Sequence, residues 1–229
     1  MSSRLVVDEK SEVTELRTDP IIQTAAIRSL ASLISYLFHP VFVPVYIIIF
    51  MVYVHPYFFA GLDRFGKSII IIRALVSYSF FPIVTVLFLK GLQFIQSFQL
   101  KTQKDRIIPL IACGIWYFWM WYVEKNLAEY PRPLVQLGLG IWMSASLALM
   151  ANIVMKVSLH AISMGVLVCF MIGLSLTQPV NFGIYLSASL IIAGVVCTSR
   201  FIVSDHENRE VYGGFFVGVI SMLLGFLFN

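Results

Sequence analysis

The chain has 229 residues, of which 59% are hydrophobic and 12% charged, with a mean hydropathy of +0.87 and a formal net charge of +4. That balance excludes an ordinary soluble domain and reads as an integral membrane protein. No basic groove with interleaved aromatics suggests a nucleic-acid partner. Three cysteines, Cys113, Cys169 and Cys197, each sit inside an apolar run and offer neither a disulfide framework nor metal-ligand spacing.

In lipid a backbone must satisfy its own N–H and C=O groups, and the apolar stretches here are long rather than short and alternating. The expected fold is therefore all-α, a polytopic membrane bundle of about six or seven transmembrane helices. Residues 1–28 read as a polar N-terminal tail of mixed charge, with an amphipathic helix possible after Pro20, and 29–229 as the transmembrane domain. No cleavable signal is visible, so the first helix is expected to act as the insertion signal. The first span is placed at about 32–54 and opens on Phe38-His39-Pro40-Val41-Phe42-Val43-Pro44, where two prolines predict a kink or a partly re-entrant path. His39, beside Pro40, could line a site but reads first as a helix-end residue of the interface.

The second span, about 68–89, holds Arg73 within snorkelling reach of its end and Pro82 as a kink site. A basic stretch, Lys90 to Arg106, leads into a third span that starts near Pro109 and ends near Val123, with Trp116, Trp119, Trp121 and Tyr122 as an aromatic belt. Glu124 to Pro133 reads as a polar loop, and the fourth span, 134–155, is rich in small residues suited to close helix approach. A break at Lys156-Val157-Ser158-Leu159-His160 precedes the fifth span, about 161–176. The sixth, about 182–198, ends in a dense polar run, Ser199 to Glu210, after which the last span begins at Val211.

Three polar islands stand out: Lys101 to Pro109, Lys156 to His160, and Ser199 to Glu210. Two spans separate each from the next, so all three are expected on one side of the membrane. Clustered ionisable groups in such a chain meet water, pair with one another, or work. Their inventory is Lys101, Lys104, Arg106, Ser158, His160, Arg200, His206 and Glu210. Cations, two imidazoles, a hydroxyl and a carboxylate, without an acidic or Cys/His cluster to hold a metal, suit a phosphoryl group. The cations neutralise its oxygens, one histidine attacks phosphorus and the other protonates the leaving oxygen. No metal and no cofactor is expected. His206 and Glu210, four apart, share a face if their segment is helical, and the carboxylate can then hold the imidazole's tautomer.

The last island, S-R-x5-H-x3-E, resembles the third motif (S-R-x5-H-x3-D) of the type 2 phosphatidic acid phosphatases (PAP2), lipid-phosphatase relatives of the vanadium haloperoxidases. Ser158-Leu159-His160 is similar to that family's P-S-G-H motif, and Lys101 to Pro109 more loosely to its K-x6-R-P motif. The resemblance covers about 100–229 as a PAP2-like core. It implies His206 as nucleophile forming a phosphohistidine, Glu210 as its orienting carboxylate, and His160 as general acid. Arg200, Ser158, Arg106 and one of Lys101 and Lys104 would bind phosphate oxygens. The chain departs from the pattern in having Glu210 for Asp, Val157 and Leu159 for Pro and Gly, and its arginine at 106 where the motif places Ile108.

The implied activity is hydrolysis of a phosphomonoester or pyrophosphate of a lipid. The implied surroundings are membrane lipids, in a multi-pass protein of the cell membrane, the inner membrane in a Gram-negative cell. The alternatives are an inactive member of the fold that binds lipid phosphate or a protein partner, and a small transporter. Basic residues gather on the islands' side, including Arg4, Lys10, Arg17, Arg28 and Lys90, which predicts that the islands face the cytoplasm.

Overall fold

The computed structural model describes residues 4–7, 13–16, 23–95, 100, 102–203 and 207–228. It is an all-α multi-pass bundle with six helices long and apolar enough to cross a membrane. In the N-terminal tail the strands β1 (Arg4–Val7) and β2 (Val13–Leu16) pair antiparallel.

The expected first span is divided. Helix α1 (Ala25–Leu37) is capped by Thr24, whose hydroxyl accepts from the Ile27 N–H, and ends before the His39-Pro40 turn. Helix α2 (Val43–Ile49) then starts with Pro44 in its first turn, where a missing N–H costs nothing, and continues as a π-helical turn, Phe50–Val54. At the far end His55 stacks on Phe58 with ring centroids 3.9 Å apart and lies 5.7 Å from Phe182. The α2 segment, Val43–Val54, is 12 residues or roughly 18 Å long, shorter than the six helices long enough to cross a membrane.

Helices α3 (Arg64–Ala74) and α4 (Phe81–Gly91) form one span joined by a π-helical turn, Leu75–Phe80. Pro82 explains the widening, because it lacks the N–H that the carbonyl four residues back would accept and its ring crowds that turn. Helices α5 (Gln103–Asn126), α6 (Arg132–Val154), α7 (Leu159–Thr177), α8 (Gly183–Val203) and α9 (Asn208–Leu227) complete the bundle.

Helix α5 begins earlier than its proline suggested. The Thr102 hydroxyl accepts from the Asp105 N–H at 3.1 Å, a local cap that starts the helix at Gln103 and leaves Pro109 inside it. It also ends later, so that Glu124, read as a loop residue, is wholly buried in the last turns of the helix. The aromatic belt is divided as well. Trp119 and Tyr122 are exposed, whereas Trp116 stacks on Phe81 at 4.3 Å and Trp121 on Trp142 at 5.7 Å.

The core centres on α7, whose Met164 and Phe170 are fully buried. It packs closely on α9 because Gly165 lies against the Phe215 carbonyl and Gly218 against the Ile162 carbonyl, where a Cβ would strike backbone. That contact sets the N-termini of α7 and α9 side by side. Counting spans, the starts of α5, α7 and α9 share one end of the bundle, which is where the three islands lie.

Candidate functional site

Two of the eight candidates, Lys101 and His206, lie outside the described residues. The other six fall at the island end, and five of them come together. Arg106, one turn into α5, is buried and donates from Nε to the Leu100 carbonyl at 2.9 Å and from Nη1 to the Val157 carbonyl at 2.6 Å. Leu100 has φ +48°, a left-handed conformation rare for a branched side chain, and its carbonyl is thereby offered to the guanidinium. A reciprocal pair, Gln103 Nε2 to the Asn152 carbonyl at 3.0 Å and Asn152 Nδ2 to the Gln103 carbonyl at 2.8 Å, fastens the same turn to α6.

Ser158 is fully buried as the N-cap of α7, its hydroxyl accepting from the Ala161 N–H at 3.4 Å. Its own N–H donates to the Glu210 carbonyl at 2.9 Å, joining the second island to the third. Glu210 sits in the first turn of α9, with its carboxylate 4.0 Å from Lys156 Nζ. Helix α9 starts at Asn208 with Glu207 as its N-cap, and the shared face expected for His206 and Glu210 lies outside the described residues because it involves His206. Ser199 and Arg200 belong to the last turns of α8 rather than to a loop. Glu210 and Arg200 both lie within electrostatic reach of Arg106. Lys104 is exposed on the first turn of α5 and, among the described residues, makes no ion pair or hydrogen bond with this group.

A fourth segment closes the group, from the end of α1. The Ser35 carbonyl accepts from His160 Nε2 at 3.0 Å; since a carbonyl only accepts, Nε2 holds a proton. Arg200 Nη1 donates to the Ser35 hydroxyl at 3.1 Å, and that hydroxyl is 3.1 Å from the Ser199 hydroxyl. Ser199 spends its own proton on the Val196 carbonyl at 2.7 Å, so the chain runs one way, from Arg200 to Ser35 to Ser199 to Val196. His39, in the turn after α1, stands beside His160 with ring centroids 5.4 Å apart and planes at 82°. Its Nδ1 accepts from the Val41 N–H at 3.4 Å, which leaves the ring proton of the neutral form on Nε2. His39 keeps an exposed face, but desolvation by the surrounding protein, and after it the charge of Arg200, lower its pKa below the ordinary value.

His39 was signalled in the sequence only by its neighbouring proline, and Ser35 by nothing. Among the described residues no three His, Cys, Asp or Glu side chains gather as metal ligands. Chemically, the arrangement offers two guanidiniums, an ammonium, two imidazoles and a carboxylate at one end of a membrane bundle. No protein-family model, curated protein or solved structure matches the chain.

Proposed function

We propose that the chain is a membrane phosphatase of the PAP2 type that removes a phosphoryl group from a phosphomonoester or pyrophosphate of a lipid. The supporting observation is convergence. Arg106, Ser158, His160, Arg200 and Glu210, from three separate stretches of sequence, meet at one end of the bundle through Arg106 to Val157 and Ser158 to Glu210.

In this reading a nitrogen of His206 attacks phosphorus and the bond to the lipid oxygen breaks. The departing oxygen takes a proton from His160, and Arg106 and Arg200 balance the charge on the non-bridging oxygens. Because the Ser35 carbonyl retains the Nε2 proton, the transferred proton is the one on Nδ1. Water then attacks the phosphohistidine and gives its proton to the same nitrogen, and the P–N bond breaks to release phosphate and His206. Side-chain cations supply the neutralisation, so activity persists in the presence of a chelator.

The test is phosphate release by the detergent-purified full chain, chelator present, from phosphatidic acid, phosphatidylglycerol phosphate and an isoprenyl pyrophosphate. Turnover on one of them supports a hydrolase, and none on any of the three overturns it. One observation favours a second reading, a non-catalytic binder of lipid phosphate: the Nε and Nη1 donors of Arg106 are spent on backbone carbonyls. That reading requires saturable binding without release.

The same proposal puts the chain in the cell membrane, the inner one of a Gram-negative cell, with the site facing the cytoplasm. Support comes from Lys90, in the last turn of α4, and from the basic tail, which the sequence reading sets on the same side. Cysteine at Asn208 or Ala128, both exposed, in a background without the three native cysteines, tests it with a membrane-impermeant thiol reagent on intact cells. Labelling at 128 but not at 208 is expected, and the converse reverses the orientation.

A further inference from the structure

We infer that the end of α1, from Ser35 to His39, is a working wall of the site: Ser35 positions His160 and Arg200 together, and His39 donates from Nε2 to the phosphoryl group. The inference rests on the phosphatase reading and adds to it two residues that no motif of the resemblance contains.

The geometry is specific. One residue, Ser35, uses its carbonyl for the His160 imidazole at 3.0 Å and its hydroxyl for the Arg200 guanidinium at 3.1 Å, so the two groups are referenced to the same Cα. The hydroxyl is polarised in a fixed direction, because its proton goes to Ser199 and leaves its lone pairs for Arg200. The carbonyl lies in the last turn of α1, where backbone acceptors lack intrahelical partners and the dipole is negative. Such an acceptor fixes the proton on Nε2 and with it the orientation of the ring. In effect the helix end does for His160 what a carboxylate does for the imidazole of a catalytic pair.

His39 reaches the same place from the following turn. Its ring meets that of His160 edge to face, its Nδ1 is occupied by the Val41 N–H, and Arg200 is near enough to act on its charge. A neutral imidazole with its proton on Nε2 is a hydrogen-bond donor of fixed direction, suited to an oxygen of phosphate or of the leaving group. The groups around it are His160 from α7 and Arg200 from α8, with Ser35 holding both.

The experiment uses the full chain in detergent with two readouts, phosphate release from the lipid phosphates above and binding of inorganic phosphate by titration calorimetry. Ser35→Ala is expected to lower kcat about tenfold, the cost of one charge-assisted hydrogen bond, with KM less affected. Two changes at His39 separate chemistry from packing. His39→Phe retains the ring and loses the donor, whereas His39→Gln retains an amide donor and loses the ring. The proposal expects Gln to keep at least part of the turnover and phosphate affinity, and Phe to lose about a hundredfold in turnover.

The reverse order, with Phe active and Gln inactive, overturns it as a packing role. Full activity in all three variants overturns it too, and leaves the phosphatase reading standing. If the wild type releases no phosphate but binds it, and His39→Phe abolishes that binding, the wall stands and the hydrolase reading falls. If the wild type neither releases nor binds phosphate, both fall.

Discussion

The two ends of the bundle both concentrate polar groups, and they use them in opposite ways. At the end away from the islands, the carboxylate of Glu124 is wholly buried and both its oxygens face the Tyr78 hydroxyl, at 3.1 and 3.2 Å. Gly138 makes room for it, because a Cβ there would overlap Glu124 Oε2. Arg73 is spent on Glu129 at 2.6 Å and on the Tyr130 hydroxyl at 3.3 Å. Donor and acceptor match locally, and the result is a strut. At the island end the Glu210 carboxylate lies 4.0 Å from Lys156 Nζ and within electrostatic reach of Arg106, while Arg200 and the adjoining imidazoles of His160 and His39 gather around Ser35. Within the group just named, two guanidiniums and an ammonium accompany one carboxylate. A polar residue inside a membrane protein is thus not in itself a sign of chemistry; cations and imidazoles gathered from several distant segments are a better one.

The sharpest way to break this comparison is to remove the nucleophile proposed for the island end. His206→Ala is expected to reduce phosphate release by at least about a thousandfold, since in the proposed mechanism no other group takes the covalent step. Its unfolding midpoint in detergent should match the wild type. Retention of most of the activity would take the nucleophile away from His206 and leave the island end as a binding surface.

What the sequence made legible follows from range. Helix type, the number of long spans and the common side of the three islands depend on apolar run length and on parity, both of which are local counts. The start of α5 was legible in principle, since Thr102 three residues before Asp105 is a cap pattern, but Pro109 drew the expected start past it. Glu124 was misplaced because its burial depends on Tyr78, 46 residues away, and on the absence of a side chain at Gly138. Neither dependence leaves a mark near residue 124. Ser35 is a further case. A lone serine in an apolar helix carries no signal, and its link to Ser199 spans 164 residues. His39 had a signal, the adjacent proline, which marks a turn without saying what the turn faces.

The next prediction addresses the other end. Glu124→Ala leaves the Tyr78 hydroxyl without its acceptor and opens a cavity, and is expected to cost about 3 kcal/mol of stability. Measured by denaturant titration in detergent, the midpoint should fall while kcat per folded molecule stays unchanged. Glu124→Gln keeps the volume and an acceptor for Tyr78, and should recover much of the loss. If instead kcat falls at an unchanged midpoint, the strut is part of the chemistry and the contrast between the two ends disappears.

The smallest expected effect is the most informative about the departure from the family pattern. Glu210 is held at its backbone, where its carbonyl accepts the Ser158 N–H at 2.9 Å, so the Cα has little freedom to follow a shorter side chain. Glu210→Asp then withdraws the carboxylate by about 1.5 Å, one carbon–carbon bond. The contact with Lys156, already at 4.0 Å, would open further, and whatever the carboxylate orients would lose its register. A site built around glutamate should lose about tenfold in kcat, within the hundredfold that a misplacement of roughly 1 Å can cost. Stability should change by no more than about 0.5 kcal/mol, because the residue is not part of the apolar core. A rise in kcat on shortening would mean that the surrounding residues still fit aspartate and that Glu210 detunes the site. That outcome would move the chain toward the non-catalytic reading while leaving the convergence of the islands in place.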